Sequence, residues 1–230
     1  MSDIGNQSTT YINVLTEYAK TASEIRNRRA QLNLSLTSWI GHVSFEDKIT
    51  QVGFHQPPKN GVDAQLGSSE NFSKLRIGSA IVKRENPNTV LIKATARYKP
   101  DDEDAYETDQ WGYTETEYLP AFRITDLTKI EADLIEHFVP VAVEEASGFA
   151  GFRENATKTN SLVDRLKAIK LPDTDDVADE LERYVETKER ADELDAKIEK
   201  TDRLIDDIVY DLYDLNDDEI EIVESAVADD

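Results

Sequence analysis

The feature that most constrains this chain is a run of about forty residues, 176–215, that contains neither Gly nor Pro. It follows Leu171-Pro172-Asp173-Thr174-Asp175, where proline ends one element and the Thr/Asp cluster supplies N-caps for the next. Apolar residues recur at Leu181, Tyr184, Ala191, Leu194, Ile198, Ile205, Ile208 and Leu212, close to alternating three-and-four spacing, with Lys188 and Thr201 in two of the slots. At about 1.5 Å per residue this helix would be about 60 Å long, more than a small domain can cover. The uncovered part needs a partner helix, and the other end of the chain supplies one. Tyr11 to Leu36 places Leu15, Tyr18, Ala22, Ile25, Leu32 and Leu36 at the same spacing, again without Gly or Pro. The expected architecture packs these two helices together, with Ile25, Leu32, Leu181 and Ile198 in the seam and a mixed module between them in sequence.

Composition narrows the class. A chain of 230 residues can bury a sizeable core. It has no long apolar run and no signal-peptide pattern, which predicts a cytoplasmic protein without a membrane partner. The absence of cysteine excludes disulfides and thiol chemistry, and with three scattered histidines it weighs strongly against a zinc site. The net charge of −22 is divided very unevenly. Residues 1–99 hold 13 Lys+Arg against 8 Asp+Glu, whereas residues 100–230 hold 13 against 40. A uniformly acidic protein would argue against nucleic acid, but the basic half removes that objection. Acid spread over helical surfaces is also what a salt-rich cytoplasm selects, and a docking surface for a cationic partner is the other reading.

Along the chain, residues 1–10 are polar and expected to fray. Arg26, Arg28 and Arg29 form a cluster on the first helix, suited either to acids of the C-terminal helix or to phosphate. Residues 42–73 carry Pro57-Pro58, Gly61 and Gly67 and read as irregular. The clearest β signal follows: Lys74–Glu85 and Val90–Lys99 flank Asn86-Pro87-Asn88-Thr89 as a four-residue hairpin turn. In the second strand Ile92, Ala94, Ala96 and Tyr98 alternate with Lys93, Thr95, Arg97 and Lys99. In the first, Leu75, Ile77 and Ile81 share a parity that leaves Arg76 and Arg84 opposite, so the expected hairpin has one apolar and one basic face. Residues 110–125 suit one or two further strands. Thr125/Asp126 is placed to cap a helix running to Phe138, which Pro140 should interrupt. Arg153 to Asn160 reads as a polar loop feeding a short helix, Leu162 to Ile169.

Catalytic signatures are missing. Pro172-Asp173 with Glu186-Thr187-Lys188 matches the letters of a metal-dependent nuclease, but Glu186 and Lys188 lie two apart on a helix and diverge. Asp192, Asp195 and Glu199 at helical spacing read as a solvated face. His42, His55 and His137 adjoin no nucleophile pattern. The chain reads as non-enzymatic on its own, with no cofactor and no metal.

The C-terminal residues carry a family resemblance. Ile205-Asp206-Asp207-Ile208-Val209-Tyr210-Asp211-Leu212-Tyr213-Asp214-Leu215, then Asn216 to Glu224 ending Ile222-Val223-Glu224, is similar to the C-terminal end of large restriction–modification methyltransferases of the fused type IIG kind and their phage-defence relatives. Those close with a helix of the form I-D-x-I-V-Y-x-L-Y-x-L and a short acidic helix ending I-V-E. The stretches 94–100, Asp109-Gln110-Trp111-Gly112-Tyr113 and 149–162 likewise resemble the corresponding region of haloarchaeal proteins of this kind. Amino-methyltransferases need an Asn/Asp-Pro-Pro-aromatic loop, yet Pro57-Pro58 stands between Gln56 and Lys59, and no glycine-rich cofactor turn is found. The catalytic half of the resembled enzymes is therefore absent. The chain opens at Met1, which leaves a separate specificity subunit and a piece of a larger enzyme both open.

The resemblance implies the target-recognition portion of such an enzyme, with double-stranded DNA and a methyltransferase/endonuclease core as partners. On the residues themselves, Arg76, Arg84, Lys93, Arg97 and Lys99 on the hairpin suit phosphates, and Arg153, Asn155, Lys158 and Asn160 suit base edges. A solvated outer face and a helix-capping loop are the ordinary readings of the same residues. The expected fold is α+β, a small β module with a basic hairpin on a long helical pair. Its expected parts are 1–41 (N-terminal helix), 42–171 (mixed module) and 172–230 (long helix and short acidic helix). The rival function is a coiled-coil assembly protein that never touches DNA.

Overall fold

The computed structural model describes residues 4–41, 45–67, 73–101, 105–144 and 161–228. The chain is mixed α+β and divides into two compact units, residues 1–34 with 185–230 and residues 35–184.

The first unit is helical. Helix α1 spans Ile4–Ala30, so it starts earlier than the Tyr11 expected from the spacing. The long helix, which we number α6, spans Thr174–Tyr213, and a short helix α7 spans Asp217–Ala228. Asp173 opens α6 by accepting from the Asp175 amide at 2.9 Å, and Asp175 and Asp176 complement the helix dipole in the first turn. Asp214, at φ 51°, closes the helix, with the Leu215 amide returning to the Tyr210 carbonyl at 3.1 Å. Asn216 and Glu219 then form a capping box for α7.

The seam keeps a heptad. On α1, Leu15, Tyr18, Ala22, Ile25 and Arg29 are the shielded positions, with Leu32 just past its end; on α6 they are Ala191, Leu194, Ile198, Thr201, Ile205, Ile208 and Leu212. Two ion pairs fix the direction: Arg26 reaches Asp202 at 2.5 Å and Arg29 reaches Asp195 at 2.8 Å, so advancing along α1 means retreating along α6. Two of the three clustered arginines thus face acids of the C-terminal helix. Lys188 is exposed and takes no place in the seam, whereas Thr201 is 9% exposed and returns its hydroxyl to the Lys197 carbonyl at 2.8 Å. That hydroxyl makes a bond the helix does not need in a position that favours a hydrocarbon. Thr201→Val should therefore raise the stability of this unit by about 1 kcal/mol, read from thermal unfolding at 222 nm.

The second unit holds the strands. A short helix α2 (Leu36–Ile40) carries Leu36, which belongs here and not to the N-terminal helix. Strand β1 (Phe45–Lys48) pairs antiparallel with β7 (Lys170–Pro172), joining segments far apart in sequence. A 3-10 turn (Ile49–Gln51), strand β2 (Phe54–Gln56) and a one-turn helix α3 (Ala64–Gly67) occupy the stretch that read as irregular. Strands β3 (Ser73–Asn86) and β4 (Thr89–Lys99) form the expected hairpin with only Pro87-Asn88 at its tip, where Asn86 accepts from the Asn88 amide. The antiparallel sheet runs β2-β6-β4-β3, with β6 spanning Leu119–Thr125. Where β6 leaves β4 after Ala94, the two-residue strand β5 (Thr114–Glu115) takes over at Arg97 and Tyr98.

Helix α4 (Lys129–Glu144) covers one face of β3 and β4. It starts at a Thr128/Glu131 capping box, two to three residues later than the Thr125/Asp126 expected, and runs through Pro140. Loss of one backbone bond at proline is offset by burial of Phe138, Val139, Ala142 and Val143 around it. Ile92, Ala94, Ala96, Phe122 and Ile124 of the sheet complete this core. A last short helix α5 (Leu162–Lys167) begins at Ser161, whose hydroxyl accepts from the Asp164 amide. The first turns of α6 belong to this unit: Val177, Leu181 and Tyr184 are buried in it, Tyr184 setting its ring edge-on to His137 at 5.4 Å. Leu181 is thus a core residue of the second unit and not part of the helical seam.

Candidate nucleic-acid interface

Of the three register shifts between β3 and β4, the middle one decides which side chains share the face away from α4. Ile77 pairs with Ala96, but the next pair toward the tip is Ala80 with Ala94, so β3 carries one residue more than β4 there. Gly78 and Ser79 absorb it. A Cβ on Gly78 would collide with the Glu115 carboxylate and the Thr95 hydroxyl, and the Ser79 amide donates to that hydroxyl at 2.9 Å. Past the bulge the parity of β3 reverses, so Ala80, Val82 and Arg84 lie beside Ala94, Ile92 and Val90 on the face covered by α4. Arg84 is accordingly not on the basic face. Its guanidinium is held by Asp133 at 2.6 Å and Glu136 at 2.7 Å of α4, and it is a structural ion pair.

Before the bulge the expected parity stands. Arg76 is opposite Arg97, and Arg97, Lys99 and Lys93 alternate with the buried residues of β4. The turn that leads into strand β5 adds what the hairpin alone does not show, an aromatic centre. The guanidinium carbons of Arg76 and Arg97 each lie 5.0 Å from the centroid of the Tyr113 ring, and the Lys99 ammonium lies 5.1 Å from it. Tyr113 is 8% exposed, while Trp111 beside it is 62% exposed and lines the same open concavity. The electron-rich ring face offsets part of the repulsion among three cations.

Asp109 aims this group. Its carboxylate accepts from the Trp111 amide at 2.9 Å and the Tyr113 amide at 3.0 Å, and it pairs with Arg97. Gly112, at φ 74°, donates to the Asp109 carbonyl and closes the turn, a conformation that glycine adopts without strain. The Tyr113 amide above all, then the Trp111 amide and Arg97, hold the Asp109 carboxyl below its usual range. A depressed pKa means the ionised carboxylate favours the folded loop above the ordinary aspartate range, and that contribution disappears as pH falls through the lowered value. With Trp39 replaced by phenylalanine, Trp111 emission should hold constant from neutral pH to about pH 4 and shift below it.

Among the described residues Arg76, Lys93 and Lys99 make no ion pair, whereas Arg97 is neutralised by Asp109. Glu115, opposite Arg97 in register, is hydrogen-bonded to Thr95 and adds one negative charge at the edge of the group. Lys93 shares the face but stands four residues from Arg97, about 13 Å along the strand. The polar loop with Arg153, Asn155, Lys158 and Asn160 lies outside the described residues. Asp173 caps α6 and Asp195 pairs with Arg29, so both acids have structural duties. Tyr113, Trp111 and Asp109 were not singled out as site residues from sequence. The spacing Asp-x-Trp-Gly-Tyr, an Asx turn next to a strand with basic alternation, is the signal that marks them.

Comparison of the chain with models of protein families, with curated proteins and with solved structures gives no match. The described helices include none long and apolar enough to cross a membrane.

Proposed function

We propose that this chain is a non-catalytic DNA target-recognition module that works with a methyltransferase/endonuclease core of a restriction–modification or phage-defence system. The observation that carries the reading is the gathering of Arg76, Arg97 and Lys99 around Tyr113 beside the exposed Trp111, on the sheet face opposite the one that α4 covers. Cations held at fixed spacing on a rigid sheet suit phosphate oxygens, and an exposed indole suits a base or sugar. Lys93 extends the same stripe along β4. The resemblance of the C-terminal residues to the ends of type IIG-like enzymes supplies the catalytic partner in this reading. In a salt-rich cytoplasm the counterion-release contribution shrinks, which places more weight on base contacts and shape.

The test is equilibrium binding to double-stranded DNA over a salt series, with and without a candidate methyltransferase core. Salt-dependent binding that sharpens for one sequence when the core is present supports the reading. Absence of binding in both conditions would hand the function to the rival, a coiled-coil assembly protein, which the heptad seam of α1 and α6 favours.

A further inference from the structure

We infer that the concavity lined by Arg76, Arg97, Lys99, Trp111 and Tyr113 receives an unpaired nucleotide, with its phosphate among the cations and its base stacked on Trp111. This rests on the reading of the face as a DNA contact and specifies what that contact holds. Two observations converge on it. The first is the imbalance of charge: three cations surround one tyrosine ring, and among the described residues only Arg97 has a carboxylate partner in the group. Arg76 and Lys99 can therefore both take an anion without breaking an existing pair. The second is the indole. Trp111 is 62% exposed, yet its backbone is fixed by the Asp109 carboxylate and by Gly112, so its exposure is held by the turn.

A continuous duplex can satisfy the cations but not the indole. Its bases are stacked on one another and present only their edges in the grooves, with no free face for an aromatic ring. A base whose face is free belongs to a single strand, a bulge or an extruded position, where aromatic stacking contributes without regard to sequence. Tyr113 is too buried to serve as the platform, since its ring is already enclosed by the cations. Recognition here is thus divided: the cations take the phosphate and Trp111 takes the base.

The experiment uses the full chain with Trp39→Phe, which leaves Trp111 as the single tryptophan. Three probes are compared at low salt: a short oligothymidylate, a continuous duplex, and the same duplex with one unpaired thymidine. Trp111 emission should be quenched by the oligothymidylate and the bulged duplex and little changed by the continuous duplex. Trp111→Ala, made in the chain that retains Trp39 and measured by probe anisotropy, should weaken binding of the first two about tenfold and leave the third unchanged. Trp111→Phe, which keeps a stacking face, should recover most of the loss. Equal quenching by all three probes, or a Trp111→Ala variant that binds all three like the parent, overturns the unpaired-nucleotide assignment and leaves duplex recognition standing. If no probe binds, both the assignment and the DNA reading fall.

Discussion

Replacing Gly53 with alanine is expected to cost the strand-bearing unit about 2–4 kcal/mol for the addition of one methyl group. Gly53 sits at φ +61° in the turn that delivers β2 to the edge of β6. A Cβ there would lie 2.5 Å from the Thr125 carbonyl oxygen and 2.8 Å from side-chain carbons of both Ile124 and Leu127. Ile124 and Leu127 are buried and the third obstacle is backbone, so none of them can swing aside into solvent. Gly41 provides the comparison, since it has the same φ of +61° and, among the described residues, nothing within 4 Å of where a Cβ would stand. Gly41→Ala carries a conformational penalty without crowding, about 1–3 kcal/mol, because ψ of −149° with positive φ is a region open essentially to glycine alone. Both tryptophans, Trp39 and Trp111, lie in this unit, so urea unfolding followed by tryptophan emission reports on it alone. Equal losses for the two variants would show that the turn yields and that β2 is not held as tightly as its contacts imply.

What the sequence revealed, and what it concealed, divides along the range of the interactions. Periodicity located α1, α6 and the β3–β4 hairpin, because each shields one face by a repeat that can be counted within the element. The position of Arg84 was hidden by a single extra residue: counting by twos from Arg76 assigns it to the basic face, and the bulge at Gly78-Ser79 moves it to the helix side. Pro140 was misleading for a related reason, since a proline's local cost says nothing about the apolar residues buried on either side of it. Strands β1 and β2 escaped notice because they are three or four residues long and pair with β7 and β6, so no local pattern marks them. The aromatic centre of the candidate site is a long-range product as well. Tyr113 reaches Arg76 only because β5 pairs with β4 and β4 pairs with β3. Every residue of the cluster is visible in the sequence, but their assembly depends on the sheet.

Removing the unpaired cations of that sheet face should weaken duplex DNA binding by a factor on the order of 10² to 10³ at low salt, taking about tenfold per phosphate contact. The variant is Arg76→Ala, Lys93→Ala and Lys99→Ala together. Arg97 is left in place because its pairing with Asp109 supports the turn that carries Trp111, and losing it would confuse a binding defect with a displaced loop. None of the three residues is buried or engaged in an ion pair among the described residues, so the fold should persist, with an unchanged urea midpoint as the check. The salt dependence discriminates more sharply than affinity does. Each phosphate contact contributes about 0.9 to the slope of log K against log salt, so losing three should flatten it by close to 3. Lys188, Lys197 and Lys200 on the exposed side of α6, changed to alanine together, alter the net charge equally. If attraction to DNA came from overall charge, both triple variants would lose affinity alike. If the sheet face tracks the backbone, the α6 variant should stay within about twofold of the parent, because it removes none of the phosphate contacts made by the sheet. Parallel losses, or an unchanged slope for the sheet variant, would remove this face from DNA recognition and leave the paired helices as the working surface of the molecule.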